Sequence, residues 1–171
     1  PDDVPSPTQP FPTKPAPFDY QGVTVDDLVD FTREIRAMAL EAVEGYRLGP
    51  LFTPLDRPIE GVTRGTIMRP PTDGTAGWAG AAVDPDTGIL YIPSRNRAAV
   101  VQLYTPDPAL GATVDYTHGA PEARMLSGAG SSRGPQMPQG LPLLKPPYSR
   151  MTAIDLNTGD HLWWVPTGEG N

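Results

Sequence analysis

One five-residue pattern occurs twice in this chain of 171 residues and constrains its fold more than any other feature. Asp84-Pro85-Asp86-Thr87-Gly88 lies between the apolar runs Ala82-Val83 and Ile89-Leu90-Tyr91. Asp155-Leu156-Asn157-Thr158-Gly159 lies between Ala153-Ile154 and a run that reaches Trp163. The leading Asp offers its carboxylate to backbone N–H groups two residues on, and the closing Gly takes the positive φ of a tight reversal. Each copy therefore reads as strand, turn, strand. Repeated hairpins of this kind mark β-propellers and related arrays. The copies are 71 residues apart, from Asp84 to Asp155, which exceeds the ~40–50 residues of an ordinary blade. Either an insertion separates two repeats, or both hairpins belong to one enlarged blade; the second is favoured.

Composition narrows the class. A single compact domain of this length would bury about two-thirds of its unfolded surface. Yet 23 prolines and 18 glycines bring the chain close to the level at which packed structure gives way to irregular segments. With 38% hydrophobic and 19% charged residues, a β-rich scaffold with long ordered loops fits better than a helical bundle or a charged tail. A net charge of −7 with no basic run argues against a nucleic-acid groove. The absence of cysteine removes disulfides and thiolate-bound zinc. No stretch approaches the ~20 apolar residues of a membrane helix. The chain opens on Pro1 without Met or a leader and stops just after its second hairpin. The expectation is a piece of a longer parent.

Three segments follow. Residues 1–22 form a proline strap interleaved with Phe11, Phe18 and Tyr20, extended in polyproline II fashion. Its aromatics are expected to dock on their own domain rather than in a partner's groove. Residues 23–49 are helical: Thr24 with Asp27 makes a capping-box pair, and Val23 with Leu28 a hydrophobic staple. A longer helix from about Thr32 carries the stripe Ile35, Met38, Ala39, Ala42, Val43 and Tyr46, with Gly49-Pro50 as its stop. Residues 50–171 are the blade segment, with strands at 66–68, 80–83, 89–93, 99–104, 151–155 and 161–165. A long Pro/Gly/Ser-rich loop spans 105–148, a length usually functional or disordered.

Chemistry is sparse. Gly128-Ala129-Gly130 with Gly134 resembles a dinucleotide loop but runs into Pro135 and Pro138, where a phosphate-binding helix has to start. The Asp84–Gly88 turn has calcium-loop spacing, but Arg95 stands where a bidentate Glu is needed. His118 and His161 are too isolated for a zinc pair, and no Ser sits in a nucleophile elbow. No complete catalytic set is present. The run Gly74-Thr75-Ala76-Gly77-Trp78-Ala79-Gly80 places one indole among small residues at a strand entry, where a flat ligand or another backbone gains close approach. On these residues alone the favoured reading of Trp78 is a core or inter-blade aromatic.

Residues 8–15, 46–54, 78–93 and 140–163 together resemble, in colinear order, the pyrroloquinoline-quinone (PQQ)-dependent dehydrogenases of the membrane glucose dehydrogenase type. The likeness covers most of the chain and is weakest between 107 and 139. It implies a mainly β fold: about one blade of an eight-bladed PQQ-type propeller, from its C-terminal half, with a proline strap and a short helical insertion. It also implies PQQ and Ca²⁺ in the parent, none held tightly by the isolated piece, and oxidation of sugars or alcohols by hydride transfer to the quinone. Electrons then pass to a membrane quinone or a cytochrome, in the periplasm. Partners are the remaining blades; self-association of the piece alone is expected. Trp163 is expected between neighbouring blades, and Gly77 and Trp78 at the cofactor-facing mouth of the channel. Catalytic and metal-ligating residues are expected in other blades. One departure stands out: the family usually has Asn before the strand-entry Trp, and here it is Gly77. That substitution supports the alternative of a non-catalytic propeller scaffold binding other proteins. An independent Pro-rich secreted module is a third reading, weakened by the colinear matches.

Overall fold

The two Asp-x-x-Thr-Gly hairpins lie side by side in one four-stranded antiparallel sheet. The computed structural model describes residues 8, 10–76, 80–106, 109, 111, 113–118, 132–133, 135 and 137–168. Strands β3 (Ala82–Asp84) and β4 (Ile89–Arg95) form the first hairpin, and β9 (Ser149–Asp155) and β10 (Asp160–Pro166) the second. β4 pairs with β9, giving the spatial order β10-β9-β4-β3. This is the one enlarged blade.

The turns hold as their residues dictate. The Asp84 carboxylate accepts from Asp86 N at 3.0 Å and from the Thr87 hydroxyl at 2.8 Å, while Gly88 N donates to Asp84 O at 2.8 Å. Asp155 receives Asn157 N at 2.7 Å, and Gly159 N reaches Asp155 O at 2.7 Å. Gly88 has φ +69°, a conformation that favours glycine, while a Cβ there would meet the movable end of Asn157, Nδ2, at 2.7 Å. Leu156 N donates to Gly88 O at 2.9 Å, stitching the two turns together at one end of the blade.

Register assigns the two faces. Leu90, Ile92 and Ser94 of β4 stand opposite Ile154, Thr152 and Arg150 of β9, and Trp164 and His161 continue that face on β10. The proline strap lies across it. Phe18 O accepts from the Arg150 guanidinium, Ala16 O lies 2.8 Å from His161 Nε2, and Lys14 Nζ reaches Asp160 Oδ1 at 2.6 Å. Tyr20 sits between two guanidinium groups, Arg69 at 4.7 Å and Arg150 at 4.8 Å. The opposite face carries a row that alternates small and large across all four strands: Ala82, Tyr91, Ala153, Trp163. A bulge between His161 and Trp163 sends these two residues to opposite faces. The Tyr91 and Trp163 rings meet at 5.9 Å over Ala153, which is fully buried.

A second sheet, in the order β1-β2-β5-β8, holds β1 (Tyr46–Arg47), β2 (Gly65–Met68), β5 (Ala99–Val101) and β8 (Ser132–Arg133). Helix α1 (Arg33–Ala42) belongs to the core this sheet shares, where Val23, Leu28, Val29, Ala39, Val43, Ile67, Val100, Met137 and Leu144 are buried together. Thr32 caps α1 by accepting from Ile35 N at 3.2 Å. The expected stop at Gly49-Pro50 is corrected: α1 ends at Ala42, and Tyr46 belongs to β1. Gly45, at φ +78°, turns the chain out of the helix, and Tyr46 gains a strand partner in β2 and the Arg64 guanidinium at 4.4 Å. The pair Thr24 and Asp27 encloses a single 3₁₀ turn, Val25–Asp27. Residues 105–148 are less irregular than composition implies: β6 (Leu103–Tyr104) pairs with β7 (Thr117–His118), β8 joins the second sheet, and buried Leu144 bridges to Leu28.

The two sheets are tied by Arg69, whose side chain is 5% exposed. Its guanidinium donates to Gly22 O at 2.6 Å, to Asp27 Oδ1 at 2.7 Å and to Asn96 Oδ1 at 3.3 Å. Asn96 in turn donates to Lys145 O and Pro147 O, at 3.1 and 3.2 Å. Burial pushes the Asp27 carboxyl upward, but bonds from Thr24 and Arg69 outweigh it and hold it below the ordinary value. Asp84 is held low by the Thr87 hydroxyl and Asp86 N–H, and Asp160 by Lys14 and Thr158. A carboxylate whose folded value is depressed contributes stability above its unfolded value, about 4, and loses it as pH falls through the lower folded value. The urea midpoint should therefore stay flat from pH 7 to about 5 and fall below about pH 4. Asp27→Asn should flatten that fall, and an unchanged acid limb in the variant would count against this assignment.

Candidate functional site

The end of the blade away from the Asp-x-x-Thr-Gly turns opens into a concavity of about 530 Å³. Its walls come from the 73–76 loop, Gly80 at the entry to β3, the last residues of β4, and the start of β9 with Thr167 beyond β10. Arg95 N donates to Thr75 O at 3.0 Å, which ties the loop to the end of the strand. β4 runs two residues past the expected 89–93, because Ser94 and Arg95 continue the ladder opposite Arg150 and Ser149. This extension puts both residues at the edge of the concavity, with their side chains on opposite faces of the strand.

The lining is polar and carries positive charge. Arg97 is paired with Asp73 at 3.1 Å, both half exposed. The Arg95 guanidinium has no partner among the described residues. Thr167 Oγ1 donates to Ser149 Oγ at 3.1 Å, and Ser149 Oγ donates back to Thr167 O. The Ser94 hydroxyl, in a residue 3% exposed, makes no hydrogen bond. Among the described residues Asp19 Oδ2, Tyr148 OH and Arg150 Nε are also buried without partners, but none of these residues is in the lining of the concavity. Burial raises the Tyr148 phenol above its ordinary value.

Gly77 and Trp78, the residues expected at a cofactor-facing mouth, lie outside the described residues. Their described neighbours Ala76 and Gly80 both line the concavity. Trp163, expected between blades, is on the open face and 43% exposed. Sequence reasoning passed over Ser94, and considered Arg95 only as a misfit in a calcium loop. The available signal was the polar run Ser94-Arg95-Asn96-Arg97 directly after an apolar strand.

A larger, open groove of about 980 Å³ lies elsewhere, between the end of α1 and the 58–64 turn. It is lined by Glu41, Glu44 and Glu60 against Arg64. Three carboxylates against one cation repel anions, so the blade-end concavity is the better receptor for a negatively charged group. Among the described residues no three His, Cys, Asp or Glu side chains converge as metal ligands would.

Compared with known proteins, the chain matches one family model over residues 1–171, the β-propeller domain of glucose/ethanol/alcohol dehydrogenases of the PQQ type. No curated protein matches it.

Proposed function

Because the chain belongs to the glucose/ethanol/alcohol dehydrogenase β-propeller family of quinoproteins, we propose that it supplies one blade, with its strap, to a PQQ-dependent dehydrogenase of the membrane glucose dehydrogenase type. The observation that carries this reading is the four-stranded blade whose open face presents Trp163 and Tyr91. A half-exposed indole aligned across a sheet is suited to burial by a neighbouring blade.

The blade-end concavity fits an anionic planar cofactor. Its small residues Ala76 and Gly80 permit close approach, and Arg95 offers a cation with no partner among the described residues. When bound, PQQ accepts the hydride that leaves the carbinol carbon of a sugar or alcohol. The part of this chain is to bind and orient: Arg95 holds negative charge, and the Thr75–Arg95 backbone bond fixes the loop beside it. Among the described residues no three His, Cys, Asp or Glu side chains converge, and on this reading the Ca²⁺ site, the catalytic base and the determinants of substrate choice belong to other blades. Electron transfer to a membrane quinone or cytochrome, in the periplasm, completes the reading.

Gly77 favours a second reading, a propeller scaffold that binds other proteins, since Gly lacks the amide usual in the family. The whole protein, incubated with PQQ and Ca²⁺, should reduce an artificial dye on addition of a sugar or alcohol. Failure to take up quinone, with no dye reduction, selects the scaffold. Residues 1–171 alone should show no turnover in the same assay, and measurable turnover would overturn the division of labour between blades.

A further inference from the structure

The open groove between the end of α1 and the 58–64 turn holds an arrangement of charge that disfavours the free chain. Helix α1 ends at Ala42 with no basic residue in its last turn. Glu41 stands in that turn and Glu44 just beyond it, where the helix dipole leaves partial negative charge. Acidic side chains there are repelled by the terminal carbonyls and by each other, and a cation relieves both. Glu60 joins them from the facing turn. None of the three has an ion-pair partner among the described residues. Arg64 also lines the groove but is engaged: its guanidinium lies 4.4 Å from the centre of the Tyr46 ring and donates to Glu44 O at 3.4 Å.

The walls are set before any occupant arrives. Ile59 and Thr63 exchange backbone bonds at 2.8 and 2.9 Å, which closes the turn. Arg64 N donates to Gly45 O at 2.7 Å, tying that turn to the chain as it leaves α1. Beside the carboxylates the lining is apolar, with Ile59 54% exposed and Val62 71%. We propose that this groove docks a cationic segment of a partner protein, one that alternates Lys or Arg with aliphatic residues. The proposal does not depend on the quinone reading. Basic heads of the segment meet Glu41, Glu44 and Glu60, while their stems and the aliphatic side chains cover Ile59 and Val62. The open shape suits a segment laid across it better than a small cation sealed inside.

Fluorescence anisotropy of a labelled peptide, Ala-Lys-Leu-Lys-Val-Arg-Ala, titrated with the whole protein tests this. Glu41→Gln/Glu44→Gln/Glu60→Gln should weaken binding about tenfold, and Ile59→Ser/Val62→Ser about fivefold. Asp26→Asn/Asp86→Asn/Asp115→Asn removes the same charge outside the groove lining and should stay within about twofold of wild type. Without peptide, Glu41→Gln/Glu44→Gln should melt no earlier than wild type, because acids have left a helix C-terminus. A variant that melts earlier yet binds the peptide as wild type makes these glutamates structural and overturns the proposal. Equal weakening by the two triple variants overturns it too, since overall charge then explains the attraction. So does spermidine displacing the peptide at equal concentration, which assigns the groove to small polyamines, or chains that pair in sedimentation and exclude the peptide, which assigns it to a second copy. No binding by wild type below about 1 mM peptide also overturns it.

Discussion

Arg69→Met should lower the folding free energy of the protein by about 3–5 kcal/mol, the range for breaking a buried ion pair from one side. Methionine matches the length of the stem but supplies none of the three donors. Gly22 O, Asp27 Oδ1 and Asn96 Oδ1 then lose their bonds. Asp27 is part buried and retains its bonds from Thr24, so some of the loss is recovered by protonation of the carboxyl. For that reason the deficit should shrink toward acid pH. Tyr20 also loses one of the two cations that flank its ring, which adds about 0.5–1 kcal/mol at a partly exposed site. Equilibrium urea denaturation with the double variant Arg69→Met/Asp27→Asn checks the assignment: coupling of the two changes should be at least 1 kcal/mol in favour of the pair. Strict additivity would mean that Arg69 acts through packing alone.

Trp163→Ala should have two different costs in two settings. Within residues 1–171 the indole touches Tyr91 and covers Ala153, but 43% of it faces outward, so its removal should cost about 1 kcal/mol. In a protein where a neighbouring blade closes over the same face, removal of a buried Trp should cost about 3–5 kcal/mol. Chemical denaturation of both proteins with and without the substitution measures the difference. Equal losses would show that the indole never acquires a cover, and the blade-in-a-ring reading would fail with it. Arg150 lies 5.7 Å from the Trp164 ring on the strap side, so Trp164→Ala serves as the internal comparison, with a similar cost in both settings.

What could be read beforehand was local. Asp84 and Asp155 bond their own turns, so strands on either side of them were legible from five residues each. Their spacing left two readings open, an insertion or one enlarged blade, and the pairing of β4 with β9 selects the second. The end of α1 was not legible, because the apolar stripe continues through Val43 and Tyr46 while the helix does not. There the positive φ of Gly45 and the pairing of Tyr46 with Gly65 override the period. The order within 105–148 was hidden for a similar reason: β7 and β8 are two-residue strands that exist through partners some 15 to 34 positions away, Leu103 with His118 and Ala99 with Arg133. The candidate site was the least legible part. Ser94 matters because it is buried and unpartnered, and sequence shows neither property.

The seam down the middle of the blade joins β4 to β9, and everything between residues 96 and 148 must be looped out for it to close. Each flanking hairpin is a short-range event, whereas this seam is a long-range one. Closure entropy is lost before any pairing energy is returned. The two hairpins should thus form early, and the sheet should wait for the excursion to settle against α1 and β2. Changes within 98–148, outside the lining of the concavity, should then govern how fast the wedge becomes whole.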